Sequence, residues 1–209
     1  KLAASGAKVL AGGQTLLASM KLRLASPPVL ADLGGIAELS GICRDGNALV
    51  IGAMTRHAVV AASAEVQQTI PALAELAGHI GDRQVRAMGT LGGSVANNDP
   101  SACYPSAVLA LGATVVTTQR SISADDFFQG MFTTALQEDE IITSIRFPIP
   151  KRAAYMKFKQ PASRFAMIGV FVAQFDTGVR VAVTGSGNGV YRDAALEAAL
   201  GRSFTPEAA

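Results

Sequence analysis

Paired glycines punctuate this chain. The apolar run Lys8–Ala11 stops at Gly12-Gly13, the run Val29–Leu33 stops at Gly34-Gly35, and Gly92-Gly93 falls inside the densest polar and glycine-rich stretch, residues 89–100. Glycine supplies turns that other residues resist, so elements bounded in this way are short. A chain of this kind is assembled from brief strands and helices. Its longest apolar stretches, such as Ala166–Ala173, are far below the roughly 20 residues of a membrane-spanning helix. The expectation is a cytoplasmic protein with no membrane span and no signal peptide.

With 209 residues the chain can bury one sizeable core, or two small ones, without disulfide or metal staples. Hydrophobic residues make up 49% and charged residues 16%, against roughly 25% charged in ordinary soluble domains, which excludes disorder. Either an outer face covered by partner chains or a large ligand, or simply an alanine-rich composition, accounts for so little charge. The net charge of +2 is spread without a basic run, so neither nucleic acid nor an anionic membrane is a natural partner. Two cysteines, Cys43 and Cys103, cannot supply the four thiolates of an ordinary iron–sulfur cluster, and a structural zinc site would need both of them together with both histidines. Any metal is expected in another subunit.

Along the chain, Lys8–Ala11, the glycine turn and Thr15–Leu24 read as a strand, turn and helix. Val29–Leu33 reads as a strand and Ser40–Ile51 as a hairpin turning at residues 44–47. Thr55 is placed to cap an alanine-rich helix, Arg56–Gln67, and Pro71 opens a second helix through Ile80. Tyr104–Leu111 reads as a helix; residues 113–118, 121–122 and 141–147 read as strands, with Asp125-Asp126 capping a short helix between them. A linker is expected at 148–152, then a hairpin of Ala166–Phe175 with Val179–Thr184 and a helix at Ala194–Leu200. The regions 1–54, 55–149 and 150–209 follow as a first lobe, a second lobe and a partial C-terminal domain. Both ends read as cut through helices.

A bound phosphate wants several backbone N–H groups converging on it, with glycine wherever a side chain would block its approach. Ala11-Gly12-Gly13-Gln14-Thr15 meets that description, and Thr90–Ser94 repeats it with hydroxyls added. Two such loops are what a dinucleotide diphosphate gripped from two sides requires; two tight turns would look the same. Other chemistries drop out. No GxGxxG fingerprint occurs at either loop, and residues 185–189 miss it because Val190 stands at the third glycine position. Gly92–Ala96 lacks the last glycine of a nucleophile elbow, and both histidines precede it. No P-loop lysine follows either glycine pair.

The segments Ala11–Leu24, Val85–Pro105 and Glu140–Pro150 resemble the medium, FAD-binding subunit of molybdenum hydroxylases of the carbon monoxide and xanthine dehydrogenase type. The resemblance implies an α+β fold. It is a two-lobed FAD-binding domain of the vanillyl-alcohol oxidase (PCMH) type, followed by a small C-terminal α/β domain. It further implies that Val9, Leu10, Ala11, Gly12, Gly13, Gln14, Thr15 and Leu16 wrap the FAD pyrophosphate, with Thr90, Gly92, Gly93 and Ser94 as a second grip. Ile80 and Gly81, with Val85, match residues beside the adenosine half. Asn97, Asp99 and Ala102 match residues near the ribityl chain and flavin; Ile141 and Ile142 match an apolar wall, and Lys157 matches a lysine that approaches FAD. Two positions depart from the family pattern: Cys103 stands where an aspartate usually contacts the cofactor, and Phe165 where a tyrosine often lies near the flavin ring. The implied role is electron transfer. Electrons would come from a small iron–sulfur subunit, served by a molybdopterin-binding large subunit, and pass through FAD to NAD, quinone or oxygen. A self-sufficient flavin oxidase and a subunit-bridging domain without FAD are the alternatives. No catalytic acid, base or nucleophile and no metal ligand is assigned.

Overall fold

In the computed structural model, residues 6–208 are described. The first unit is the expected strand, turn and helix closed by a second strand: β1 (Lys8–Leu10), α1 (Leu16–Lys21) and β2 (Leu30–Asp32), with β1 and β2 parallel. Helix α1 ends short of Leu24. Arg23 adopts a left-handed φ of 59°, Arg23 N–H bonds to Met20 O (3.0 Å) and Leu24 N–H to Ser19 O (2.9 Å), a Schellman closure built without glycine.

The hairpin β3 (Ile42–Asp45) and β4 (Ala48–Gly52) forms as expected, turning at Gly46 with a φ of 59°. Six helices follow: α2 (His57–Ala62), α3 (Ala64–Thr69), α4 (Pro71–Gly78), α5 (Arg83–Met88), α6 (Leu91–Asn97) and α7 (Tyr104–Ala110). The single helix expected over 56–67 is two. Ser63 takes an extended conformation and its hydroxyl accepts Val66 N–H at 3.4 Å, starting a new helix where the old one stops. Thr55 caps neither: its hydroxyl accepts Gly41 N–H and donates to Gly41 O, pinning the entry to β3.

Strands β5 (Thr114–Thr117) and β6 (Ser121–Ser123) lead into α8 (Ala124–Phe127), the small ladder β7 (Phe128–Gly130) with β8 (Thr133–Thr134), and the long β9 (Ile142–Pro148). The cap of α8 is Ser123, whose hydroxyl accepts Asp126 N–H at 3.2 Å, and not the aspartates expected there. Strand β9 unites the molecule. It pairs with β4 on one side and β5 on the other, giving a five-stranded antiparallel sheet β3-β4-β9-β5-β6 that joins residues on both sides of position 54. Helix α6 packs on β4 and β9, and α7, every residue of which is buried, packs on α6. Tyr104, Phe127, Phe147, Leu49, Ile51 and Ile145 fill the space between, each fully buried large side chain contributing about 1.5–3 kcal/mol.

Glu140 locks the start of β9. Its buried carboxylate accepts Thr117 Oγ1–H (2.7 Å), Arg120 Nε–H (3.0 Å) and Nη2–H (3.1 Å), and Gln137 N–H (2.9 Å). The Arg120 guanidinium leads these donors in pulling the carboxyl down to about 2.

The C-terminal sheet is β10 (Arg152–Lys159), β11 (Ala166–Phe175), β12 (Gly178–Thr184) and β13 (Tyr191–Arg192), closed by α9 (Ala194–Arg202). Strand β10 begins at the end of the expected linker and pairs with β11 along its whole length. This sheet has its own small apolar cluster under α9, with Val181 and Leu200, yet Tyr155, Phe171, Ala173 and Ala182 pack in the main core.

Candidate functional site

The first glycine loop joins β1 to α1 at the carboxyl end of the parallel strand pair. Among the described residues, none of the backbone N–H groups of Ala11, Gly12, Gly13, Gln14, Thr15 and Leu16 donates a hydrogen bond within the protein; the first of this region to do so is Leu17, to Gly13 O. Six successive free amides, with Gly13 at a φ of 71°, are donors available to an anion. Thr15 opens α1 with no side-chain cap, so its hydroxyl does not compete for these donors.

The loop lies hard against the chain opposite. A Cβ at Gly12 would collide with Met88 O and lie 2.8 Å from Gly89 Cα, and one at Gly93 would be 3.5 Å from Ala11 Cβ. These approaches bring the segments 11–13 and 88–93 together as the two walls of a cleft of about 280 Å³. Leu10, Ala11, Gly12, Gly13 and Thr90 of the expected site line it, joined by Asp32, Arg56 and Met88, which no local sequence pattern marks.

The second glycine loop behaves differently from its expectation. Residues 91–97 are helix α6, capped by Thr90, and its leading amides are already spent: Leu91 N–H on Thr55 O, Gly92 N–H on Ala53 O, Gly93 N–H on Thr90 Oγ1, and Ser94 N–H on Thr90 O. Gly92 is glycine because α6 sits flush on β4's exit: a Cβ there would lie 2.5 Å from Ala53 Cβ. The second grip therefore offers the Thr90 and Ser94 hydroxyls and not a row of backbone donors.

A second group of expected residues gathers around α5. Asp82 caps this helix through Val85 N–H (2.8 Å), and Gly81, at a φ of 48°, has Val85 within 2.8 Å of where its Cβ would be. Arg86 donates to Ile80 O (2.9 Å) and Gly81 O (3.1 Å), which holds the turn open. Lys157 reaches across from β10 to donate to His79 O (3.0 Å) and to Cys103 Sγ (3.2 Å). Cys103, buried at the start of α7, is thus a side-chain partner of the lysine. Phe165 is half exposed on the approach to β11.

Asn97 is the last residue of α6, and Asp99 and Ala102 lie in the tight turn between α6 and α7. The Asp99 carboxylate accepts Ser101 N–H at 2.8 Å and its carbonyl accepts Ala102 N–H, so Asp99 shapes the turn. The neighbouring Asn98 carries the tertiary work: fully buried at a φ of 44°, it donates from Nδ2 to Gly130 O (2.7 Å) and Thr133 O (2.8 Å). Ile142 is buried in the core and Ile141 half buried beside it, away from the cleft lining; Val9 is half buried in β1.

His57 supports the cleft from behind. Its N–H bonds to Gly89 O (3.0 Å), its ring stacks on Tyr104 at 5.3 Å, and its Nε2 would be 2.6 Å from a Cβ at Gly89. Burial, aided by the positive Arg86, lowers the imidazole to about 4 from 6.5. The unfolded chain therefore binds the proton first as pH falls, and stability present above pH 6.5 is lost on the way to pH 4, by about 3 kcal/mol. Denaturant unfolding between these pH values is expected to show this loss, and a His57→Gln variant to have a flatter profile.

Among the described residues no group of three or more His, Cys, Asp or Glu could hold a metal ion, and no helix is long and apolar enough to cross a membrane. Residues 1–150 match the family model described as the FAD binding domain in molybdopterin dehydrogenase. The chain belongs to this family. It is 38% identical over 217 residues to the carbon monoxide dehydrogenase medium chain of Hydrogenophaga pseudoflava, covering 98% of this chain and 76% of that one. It is 36% identical to the nicotine 6-hydroxylase medium subunit of Paenarthrobacter nicotinovorans, covering 97% and 75%. The solved carbon monoxide dehydrogenase of Hydrogenophaga pseudoflava superposes with a TM-score of 0.90 at 40% identity, covering 98% of this chain and 76% of that one. Family membership makes this an FAD-binding medium-type subunit of molybdenum hydroxylase-type dehydrogenases, an oxidoreductase component. The residues present fit FAD: six successive backbone N–H groups with no partner among the described residues, beside a cleft that Gly12, Gly13 and Thr90 line, are donors that a diphosphate can use.

Proposed function

We propose that this subunit is the electron-transfer flavoprotein of a multi-subunit molybdenum hydroxylase, with FAD lying between the β1-α1-β2 unit and the body of the five-stranded sheet. The hairpin of β3 and β4, expected in the first lobe, pairs with β9, which supports reading it with the second. The arrangement is read as a PCMH-type pair of lobes followed by a C-terminal domain from about residue 150. When bound, FAD would supply the redox chemistry that links an iron–sulfur partner to an external acceptor, NAD, quinone or oxygen. The chain's own residues bind and orient. Loop 11–16 donates its amides to the diphosphate, and Thr90 and Ser94 add hydroxyls from the facing wall. Ile80, Gly81 and Val85 flank the adenosine half; Asn97, Asp99 and Ala102 bound the ribityl side, with Lys157 and Cys103 beneath and Phe165 at the flavin edge. The molybdopterin subunit carries out substrate oxidation, so no side chain here serves as its acid or base.

The observation that carries this reading is the row of unpaired amides at 11–16, packed against Met88 and Gly89. The test is made on the purified complex. It is expected to contain an iron–sulfur protein, to show flavin absorbance, and to bleach that absorbance when the molybdenum subunit's substrate is added. Protein that has no flavin absorbance and takes up no added FAD would overturn the reading. Bleaching of the isolated subunit by an organic substrate would replace it with the self-sufficient oxidase.

A further inference from the structure

Arg56 stands in the cleft on a rigid base with nothing to hold. Its backbone forms an antiparallel bridge with Thr90. Its carbonyl accepts Val59 N–H (3.0 Å) and Val60 N–H (3.1 Å), and the next residue bonds to Gly89 O. Its side chain is exposed and lines the cleft, and among the described residues it makes no salt bridge and no hydrogen bond. Among the described residues several other arginines are committed, Arg86 to two carbonyls, Arg120 to Glu140 and Arg192 to Glu197, and those that are not, Arg23, Arg83 and Arg202, do not line the cleft. An unpaired guanidinium presented beside free amides is a donor for a planar or bidentate oxyanion, phosphate foremost.

The same cleft is lined by a carboxylate. Asp32 closes β2, and its Oδ1 accepts Gly34 N–H at 2.8 Å while Oδ2 has no donor among the described residues. A bare anion is repelled by Asp32. A nucleotide uses both groups, placing phosphate oxygens toward Arg56 and the amides and ribose hydroxyls toward the carboxylate, the division of labour that parallel strand pairs offer at their carboxyl ends.

We propose that Arg56 is a ligand of the FAD diphosphate, adding a side-chain charge to the backbone donors of loop 11–16. This rests on the reading that the cleft holds FAD. The test uses the full chain freed of flavin, titrated with FAD and, in competition, with ADP, for the wild type, Arg56→Gln and Arg56→Lys. Arg56→Gln is expected to weaken FAD and ADP in parallel by about tenfold or more, with Arg56→Lys intermediate and the melting temperature of the flavin-free protein unchanged, as suits an exposed side chain losing a charge-assisted hydrogen bond. FAD binding unchanged in Arg56→Gln overturns the proposal, as does a loss for FAD that ADP does not share. A fall in the flavin-free melting temperature that accounts for the loss assigns Arg56 a structural role and overturns it too. Wild-type protein that binds no FAD would instead bring down the reading of the cleft itself.

Discussion

Gly12→Ala is expected to yield protein that folds but retains little FAD, with affinity lower by roughly tenfold to a hundredfold. The added methyl falls on Met88 O and within 2.8 Å of Gly89 Cα, and both are backbone atoms that cannot rotate away. Relief requires the loop and the facing segment to part, and overpacking of this kind costs about 1–3 kcal/mol, each 1.4 kcal/mol being tenfold in binding. Two companions make the result specific. Gly13→Ala meets only the flexible end of Leu17, at 2.6 Å, although its φ of 71° costs about 1 kcal/mol of backbone strain. Gly35→Ala meets nothing within 4 Å and is expected to leave flavin content unchanged. Flavin-to-protein absorbance ratios of the three purified variants decide the matter; equal ratios for Gly12→Ala and Gly35→Ala would show that the contact with Met88 does not shape the cradle.

Glu140→Ala is expected to have the largest effect on stability. Removing this buried carboxylate leaves the Gln137 N–H without its partner, turns the Thr117 hydroxyl to Arg120 O, and frees Arg120, whose side chain is 45% exposed and can turn to water. The cost therefore falls at the lower end for broken buried pairs, about 3 kcal/mol, or roughly 6–12 °C in melting temperature for a chain of this size. Glu140→Gln keeps a carbonyl oxygen for the same donors and is expected to lose less. A melting temperature for Glu140→Ala within a degree or so of wild type would remove Glu140 from its role as the tie between β5, β6 and β9. Because its carboxyl is held near 2, its contribution persists above pH 4.5 and is lost only as pH falls toward that value.

The elements legible in the sequence are those whose local pattern agrees with their tertiary use. Lys8–Ala11 with its glycine turn, the hairpin turning at Gly46, and the apolar Ala166–Phe175 are such cases. Helix α6 was hidden for the opposite reason. Two glycines in a polar stretch read as a turn, but the close seat of Gly92 on Ala53 selects glycine inside a helix at a cost in propensity that packing repays. Ser63 split a continuous alanine-rich pattern because serine prefers to cap, and β10, for which no strand was expected, lay behind two prolines. At the site, the first loop was legible because its chemistry is local. Asp32, Arg56 and Asn98 were not, since each acquires its position through contacts remote in sequence.

The β1-α1-β2 unit has almost no interior of its own: α1 buries no side chain, and Ala7, Ala31 and Leu33 are its buried apolar residues. What holds it to the body is the close contact at Gly12 together with whatever fills the cleft between them. A cofactor bridging two such parts stabilises by mass action, about 2.7 kcal/mol at a free concentration one hundred times its dissociation constant. With FAD in the cleft as proposed, flavin supply sets the sturdiness of this corner of the molecule, and resistance to heat or proteolysis there is expected to rise and fall with the amount of FAD available.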